Sequence, residues 1–136
     1  TYVEAENVIT CANLVICNKP LTETDARNNA TTYSWDTATG QLTKVVKPAG
    51  AQTDLAYDSY TGTDGGTLRL LGRKTEKVSA GQNIVTTYAY GAANKYVLKS
   101  ATVDPGGAAS STTCFQFDAI GNLIGTTDPR AAAACP

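Results

Sequence analysis

Two bulky side chains set two residues apart, usually closed by an Asp and followed by a Gly or Asn, recur four times along this 136-residue chain. No other feature constrains the fold as tightly. The segments are Thr32-Tyr-Ser-Trp-Asp36 with Gly40-Gln-Leu42, Leu55-Ala-Tyr-Asp58 with a late Gly72-Arg, Thr87-Tyr-Ala-Tyr-Gly91 with Asn94-Lys, and Cys114-Phe-Gln-Phe-Asp118 with Gly121-Asn-Leu123. Alternate residues of a strand share a face. Tyr33 with Trp35, Leu55 with Tyr57, Tyr88 with Tyr90, and Phe115 with Phe117 therefore each predict a short strand with one bulky side. Asp36, Asp58 and Asp118 stand where a carboxylate bonds the N–H groups of a turn. Gly40, Gly72 and Gly121 stand where a turn needs positive φ. These six residues are the predicted turn motif.

A second strand follows each turn and ends in a second kind of turn: Lys47-Pro-Ala-Gly50, Ser79-Ala-Gly81, Asp104-Pro-Gly-Gly107 and Asp128-Pro-Arg130. The anchors Trp35, Tyr57, Tyr90 and Phe117 stand 22, 33 and 27 residues apart. The longest spacing is assigned to an extra loop, Ser59 to Gly66, at the second unit's turn. Self-similarity at such a period marks a repeat array, here one array over 1–136 with approximate units 1–30, 31–52, 53–84, 85–111 and 112–136. No window of about eleven residues carries a helical apolar stripe, so the class is all-β.

Composition excludes several chemistries. The chain has no His, which removes the commonest general base and metal ligand. Eleven basic and twelve acidic side chains, scattered along the chain, give no electrostatic footprint for nucleic acid. No apolar run approaches the ~20 residues of a membrane span. Neither a metal nor another cofactor is expected. Asp58 to Asp64 lacks the alternating oxygen ligands of a calcium loop. No carboxylate pair stands out for catalysis, and the chain is expected not to be an enzyme.

Four cysteines, Cys11, Cys17, Cys114 and Cys135, occur in a chain with no Met that opens at Thr1. A chain processed at its N-terminus and exposed to an oxidising compartment would form disulfides. Three pairings are open. Cys11 with Cys17 and Cys114 with Cys135 are the local ones, and Cys135 would alternatively reach Cys11 or Cys17 of a neighbouring copy. The sequon Asn29-Ala-Thr31 and the run Ser110-Ser-Thr-Thr113 are read as turn polarity. The aromatics Tyr33, Trp35, Tyr57, Tyr88, Tyr90, Phe115 and Phe117 are read as the repeat core rather than a platform for glycans. Tyr60 and Tyr96 lie off the pattern and are expected to be exposed.

The pattern Phe115-Gln-Phe-Asp118-Ala-Ile-Gly121-Asn-Leu123, followed by Thr127-Asp-Pro-Arg130, resembles the RHS or YD repeat, over roughly residues 18 to 130. The resemblance implies a long β-ribbon coiled into a spiral sheet of stacked hairpins, which in larger members forms a toxin-enclosing shell or an extracellular scaffold. About four units are too few to enclose a cargo.

Neither end reads as a polar cap. Thr24-Asp-Ala-Arg27 matches Thr127-Asp-Pro-Arg130, and Thr1-Tyr2 matches the strand openings Thr32-Tyr33 and Thr87-Tyr88. A secreted subunit that joins copies of itself head to tail, its N-terminal strand continuing a neighbour's ribbon, is therefore expected. The alternative is a piece of a larger RHS-type surface or toxin-shell protein that binds glycans or protein.

Overall fold

The computed structural model describes residues 12–62, 65–79, 81–91, 96–127 and 135. It is all-β, with nine strands among the described residues: β1 Thr22–Thr24, β2 Ala30–Trp35, β3 Leu42–Val46, β4 Gln52–Thr61, β5 Thr67–Ser79, β6 Gln82–Tyr90, β7 Leu98–Asp104, β8 Ser111–Phe117 and β9 Leu123–Thr126. They form one antiparallel meander in strict sequence order. A three-residue 3₁₀ turn, Pro48–Gly50, is the only helical element among the described residues.

The predicted aromatic strands are β2, β4, β6 and β8, and in each the bulky positions alternate with exposed ones. Tyr33 and Trp35 flank exposed Ser34, and Phe115 and Phe117 flank exposed Gln116. Among the described residues only Gly72 and Cys114 are buried. The aromatics are thus half-buried on one face of a single sheet, with no second layer enclosing them among the described residues. A sheet gains full burial only when a second layer covers its apolar face.

The second unit departs from expectation. Asp58 and Gly72 were expected to bracket a turn, yet both lie inside strands, Asp58 opposite Leu70. The sequence from Ser59 onward continues β4 to Thr61, and the chain reverses only at Gly62–Gly66. The expected extra loop is therefore a longer hairpin, because Ser-Tyr-Thr and the facing Thr67 to Arg69 sustain the ladder.

Examples of both kinds of turn share one backbone plan. Four reversals close with residue i donating N–H to the carbonyl of i+4, and i+3 donating back to i: Asp25–Asn29, Lys47–Ala51, Gly62–Gly66 and Asp118–Asn122. Position i+3 has positive φ in each, at Asn28 (63°), Gly50 (84°), Gly65 (78°) and Gly121 (92°). This is the three-residue hairpin loop that ends in a left-handed residue. The match expected between Thr24–Arg27 and Thr127–Arg130 falls partly outside the described residues. Asp25–Asn29 instead repeats the Asp118–Asn122 turn, bond for bond.

Candidate functional site

The feature that distinguishes this chain chemically is the way one hairpin joins the next. At each aromatic strand the ladder slips by one residue beside the second aromatic: Ser34 faces Lys44 but Trp35 faces Leu42. Ala56 faces Arg73 while Tyr57 faces Leu71, Ala89 faces Ser100 while Tyr90 faces Leu98, and Gln116 faces Gly125 while Phe117 faces Leu123. Thr43, Gly72, Lys99 and Ile124 are therefore the extra residues of four equivalent β-bulges. A bulge bends its strand and increases the local twist. Gly72 fills this role because Asp58 lies against it: a Cβ there would stand 2.6 Å from the Asp58 carboxyl carbon.

The residue after the bulge then fixes the next strand. Lys44 faces Asp54, Arg73 faces Thr87 and Ser100 faces Cys114, each the residue immediately before the first bulky anchor of the following unit. Thr22 faces Thr32, immediately before Tyr33, in the same way. One register thus recurs at all four junctions.

A consequence is a constant stagger. Tyr33 faces Val45, which faces Thr53, two residues short of Leu55. Leu55 faces Lys74 and then Thr86, two short of Tyr88. Tyr88 faces Ala101 and then Thr113, two short of Phe115. Because two is the period of the pleat, the aromatics stay on one face while each unit steps along its neighbour.

The Asp turns hold their charge by local donors. Asp118 Oδ1 accepts from Ile120 N–H (3.0 Å) and Asn122 N–H (2.8 Å), and its Oδ2 from Asn122 Nδ2 (2.8 Å). Asp25 accepts the same set from Arg27 and Asn29. The Asn29 amide is committed to this turn, which fits the sequon's reading as turn polarity. Asp36 Oδ1 accepts from Ala38 and Thr39, both at 2.9 Å, with Gly40 at φ 70° behind it. All three carboxyls are held below the usual value: Asp118 by the Asn122 backbone bond first, Asp25 by the Asn29 side chain first, Asp36 by the Ala38 backbone bond first. The third unit's turn bonds Gly91 N–H to the Val97 carbonyl (2.9 Å), and Asn94 lies outside the described residues.

Aromatic contacts run within units and between neighbours. Tyr33 stacks on Trp35 at 6.4 Å, and Tyr33 Oη donates to Glu23 at 2.7 Å. Tyr60, expected to be exposed, instead sets its edge against Tyr90 at 6.3 Å, because the lengthened β4 carries it over the next unit. Tyr90 Oη donates to the Leu71 carbonyl at 3.0 Å. Burial raises the phenols of Tyr57 and Tyr90. Tyr96 is 83 % exposed, as expected.

The N-terminal side carries a cap that its sequence did not announce. Asn13 Nδ2 donates to the Thr37 carbonyl (3.0 Å), Trp35 Nε1 donates to the Pro20 carbonyl (2.8 Å), and Lys19 Nζ lies 4.7 Å above the Trp35 ring. A Cβ on Gly40 would stand 3.1 Å from both Val15 and Lys19, so this strap packs directly on the β2–β3 turn. At the other end Cys135 bonds Cys114 within the chain, with a Cα–Cα distance of 5.4 Å. That bond replaces the alternative link from Cys135 to a neighbour. Cys17 is also disulfide-bonded, and Cys11, Thr1 and Tyr2 lie outside the described residues.

Among the described residues no group of three or more His, Cys, Asp or Glu is placed to hold a metal ion. No helix among the described residues is long and apolar enough to cross a membrane. Residues 18–52, spanning β1 to the start of β4, match the family model described as RHS Repeat. The chain carries an RHS repeat. No curated protein matches it. The matched stretch holds the Asp36–Gly40 turn, the Thr43 bulge and the Thr22–Thr32 junction, and the register of that junction recurs at the three later ones.

Proposed function

We propose that this chain is a structural segment of an extracellular RHS-type β-scaffold, of the surface or toxin-associated kind, whose work is to hold a shape rather than to catalyse. The observation that carries this is the single register at all four junctions, with one bulge per unit. Repeating one transformation generates a spiral, and bulges with a constant stagger supply the twist and shear that coiled sheets need. The disulfides suit an oxidising exterior. The half-covered aromatic face suits a ribbon whose later turns pack on earlier ones.

The subunit would extend itself head to tail, its N-terminal strand, opening Thr1-Tyr2, adding to the C-terminal edge of a neighbour. A heterologous contact of this kind does not close on itself and makes a filament or tube. Light scattering with negative-stain microscopy of the purified chain over a rising concentration series tests this. Filaments or tubes are expected. Monomers throughout would refute self-association and leave the chain as one segment of a longer RHS ribbon.

A further inference from the structure

The edge strand β9 differs from every strand that occupies its place in the other units. The partner of the second aromatic is a leucine each time: Leu42 opposite Trp35, Leu71 opposite Tyr57, Leu98 opposite Tyr90 and Leu123 opposite Phe117. Leu42, Leu71 and Leu98 are half-buried, while Leu123 is 54 % exposed. Each of the first three lies on a strand flanked by aromatic strands on both sides; β9, among the described residues, pairs with β8 alone. Its bulge residue Ile124 is 66 % exposed and Ile120 in the adjoining turn 85 % exposed. An exposed apolar edge strand is a template for a further strand.

The type of that strand follows from the order of the sheet. Aromatic strands β2, β4, β6 and β8 alternate without exception with β3, β5, β7 and β9. β1 belongs with the second group, since Thr22 meets Thr32 as Lys44 meets Asp54. Laying the β1 edge of one copy directly against the β9 edge of another would set two strands of the same group side by side, out of phase with every junction in the molecule.

We propose that the outer edge of β9 is a binding site for one antiparallel aromatic strand, with bulky aromatic residues at i and i+2, docked so that Gly125 faces the residue immediately before the first aromatic. Gly125 follows the Ile124 bulge as Lys44 follows Thr43, Arg73 follows Gly72 and Ser100 follows Lys99, and each of those faces that residue of the next strand. The partner is therefore a strand of RHS type and not a flat apolar surface. This rests on the scaffold reading and names the partner that its edge selects.

The test uses the whole oxidised chain, ¹⁵N-labelled and kept dilute, with a soluble synthetic peptide of its own β6 segment, Ile84-Val-Thr-Thr-Tyr-Ala-Tyr-Gly91, extended by two lysines. Amide shifts confined to β9 and the Asp118–Asn122 turn are expected. A nitroxide at the peptide's Thr87 position should broaden the Gly125 amide most. A peptide of the same composition with its tyrosines three residues apart should bind at least tenfold more weakly. Equal binding of the two peptides, broadening centred on β1, or no binding at millimolar peptide would overturn the proposal. Assembly of the chain without spacing selectivity would sink this inference and leave the scaffold reading standing. Selective binding by a chain that stays monomeric would do the reverse to self-association.

Discussion

Gly106 gives the most exacting test of the stagger. It opens the turn between β7 and β8 at φ 69°, and a Cβ built there would stand 2.5 Å from the Asn83 carbonyl oxygen of β6. That closeness comes from the register: extending the β6–β7 ladder past Val85 opposite Asp104 brings Asn83 level with this turn. Gly106→Ala therefore carries two penalties. The left-handed backbone costs an L-residue roughly 1–2 kcal/mol. Ordinary contact begins at 3.4 Å, so turn and strand must part by 0.9 Å (3.4 less 2.5). Overpacking of that kind adds about 1–3 kcal/mol. Gly81 is the control, with φ 84° and nothing within 4 Å of its Cβ position. Gly81→Ala should lose only the backbone part, about 1–2 kcal/mol. In thermal unfolding, at about 3–5 °C per kcal/mol for a chain of this size, Gly106→Ala should melt clearly below Gly81→Ala. Gly106→Asn, which tolerates the backbone angle but keeps the clash, should recover at most the backbone part of the loss. Equal melting points for the two alanine variants would refute the reasoning, because the contact with Asn83 would then cost nothing.

Asp25, Asp36 and Asp118 have folded pKa values below their unfolded ones, so their contribution is present above about pH 3.9 and is lost as pH falls through the folded values. Asp36→Asn with Asp118→Asn keeps an Oδ1 acceptor in each turn but removes the titration, and should flatten the acid limb of a melting-point profile; an unchanged limb would place the sensitivity elsewhere. Replacing Cys114 and Cys135 together by Ala opens a loop of sequence separation 21 and should lower stability by about 3 kcal/mol by denaturant titration; a loss under about 1 kcal/mol would mean the tail is held by other contacts. Leu71→Ala removes a half-buried partner of Tyr57 and should cost about 1–2 kcal/mol, whereas Leu123→Ala, at an exposed edge, should stay within about 0.5 kcal/mol; similar losses would show that the last hairpin packs like the others.

The all-β class and the aromatic strands were legible because alternation with period two survives in every unit, from Tyr33 and Trp35 to Phe115 and Phe117. The turns at Asp36 and Asp118 were legible because an Asp acceptor and a left-handed Gly leave a local signature. Asp58 and Gly72 misled because the same residue pair also suits a bulge, where Gly yields room to a facing carboxylate. The leucine row was only half visible. Leu42 and Leu123 follow short turns, but Leu71 is displaced by the lengthened hairpin, and pairing across a ladder is not a sequence-local property. The strap over Trp35 carried no pattern at all, since Asn13, Lys19 and Pro20 act through individual side-chain and backbone contacts rather than through a repeated spacing.

The second unit shows which parts of the ribbon are fixed and which are free. Its hairpin runs to Thr61 and Thr67, well past the length of its neighbours, yet the junction before it (Lys44 with Asp54) and the junction after it (Arg73 with Thr87) keep the common register. The added residues all lie beyond the Gly72 bulge, on the far side of Tyr57 from both junctions. A bulge absorbs the local change in twist, so residues inserted past it lengthen the tip without altering how the unit meets the next. What the longer tip changes is lateral: Tyr60 reaches Tyr90, and Gln41 Oε1 accepts from Arg69 Nε at 2.8 Å, bracing the preceding and following units around it. Insertions at hairpin tips are thus the inexpensive way to vary this ribbon, and changes at Lys44, Arg73 or Ser100, each one residue past a bulge, are the costly way.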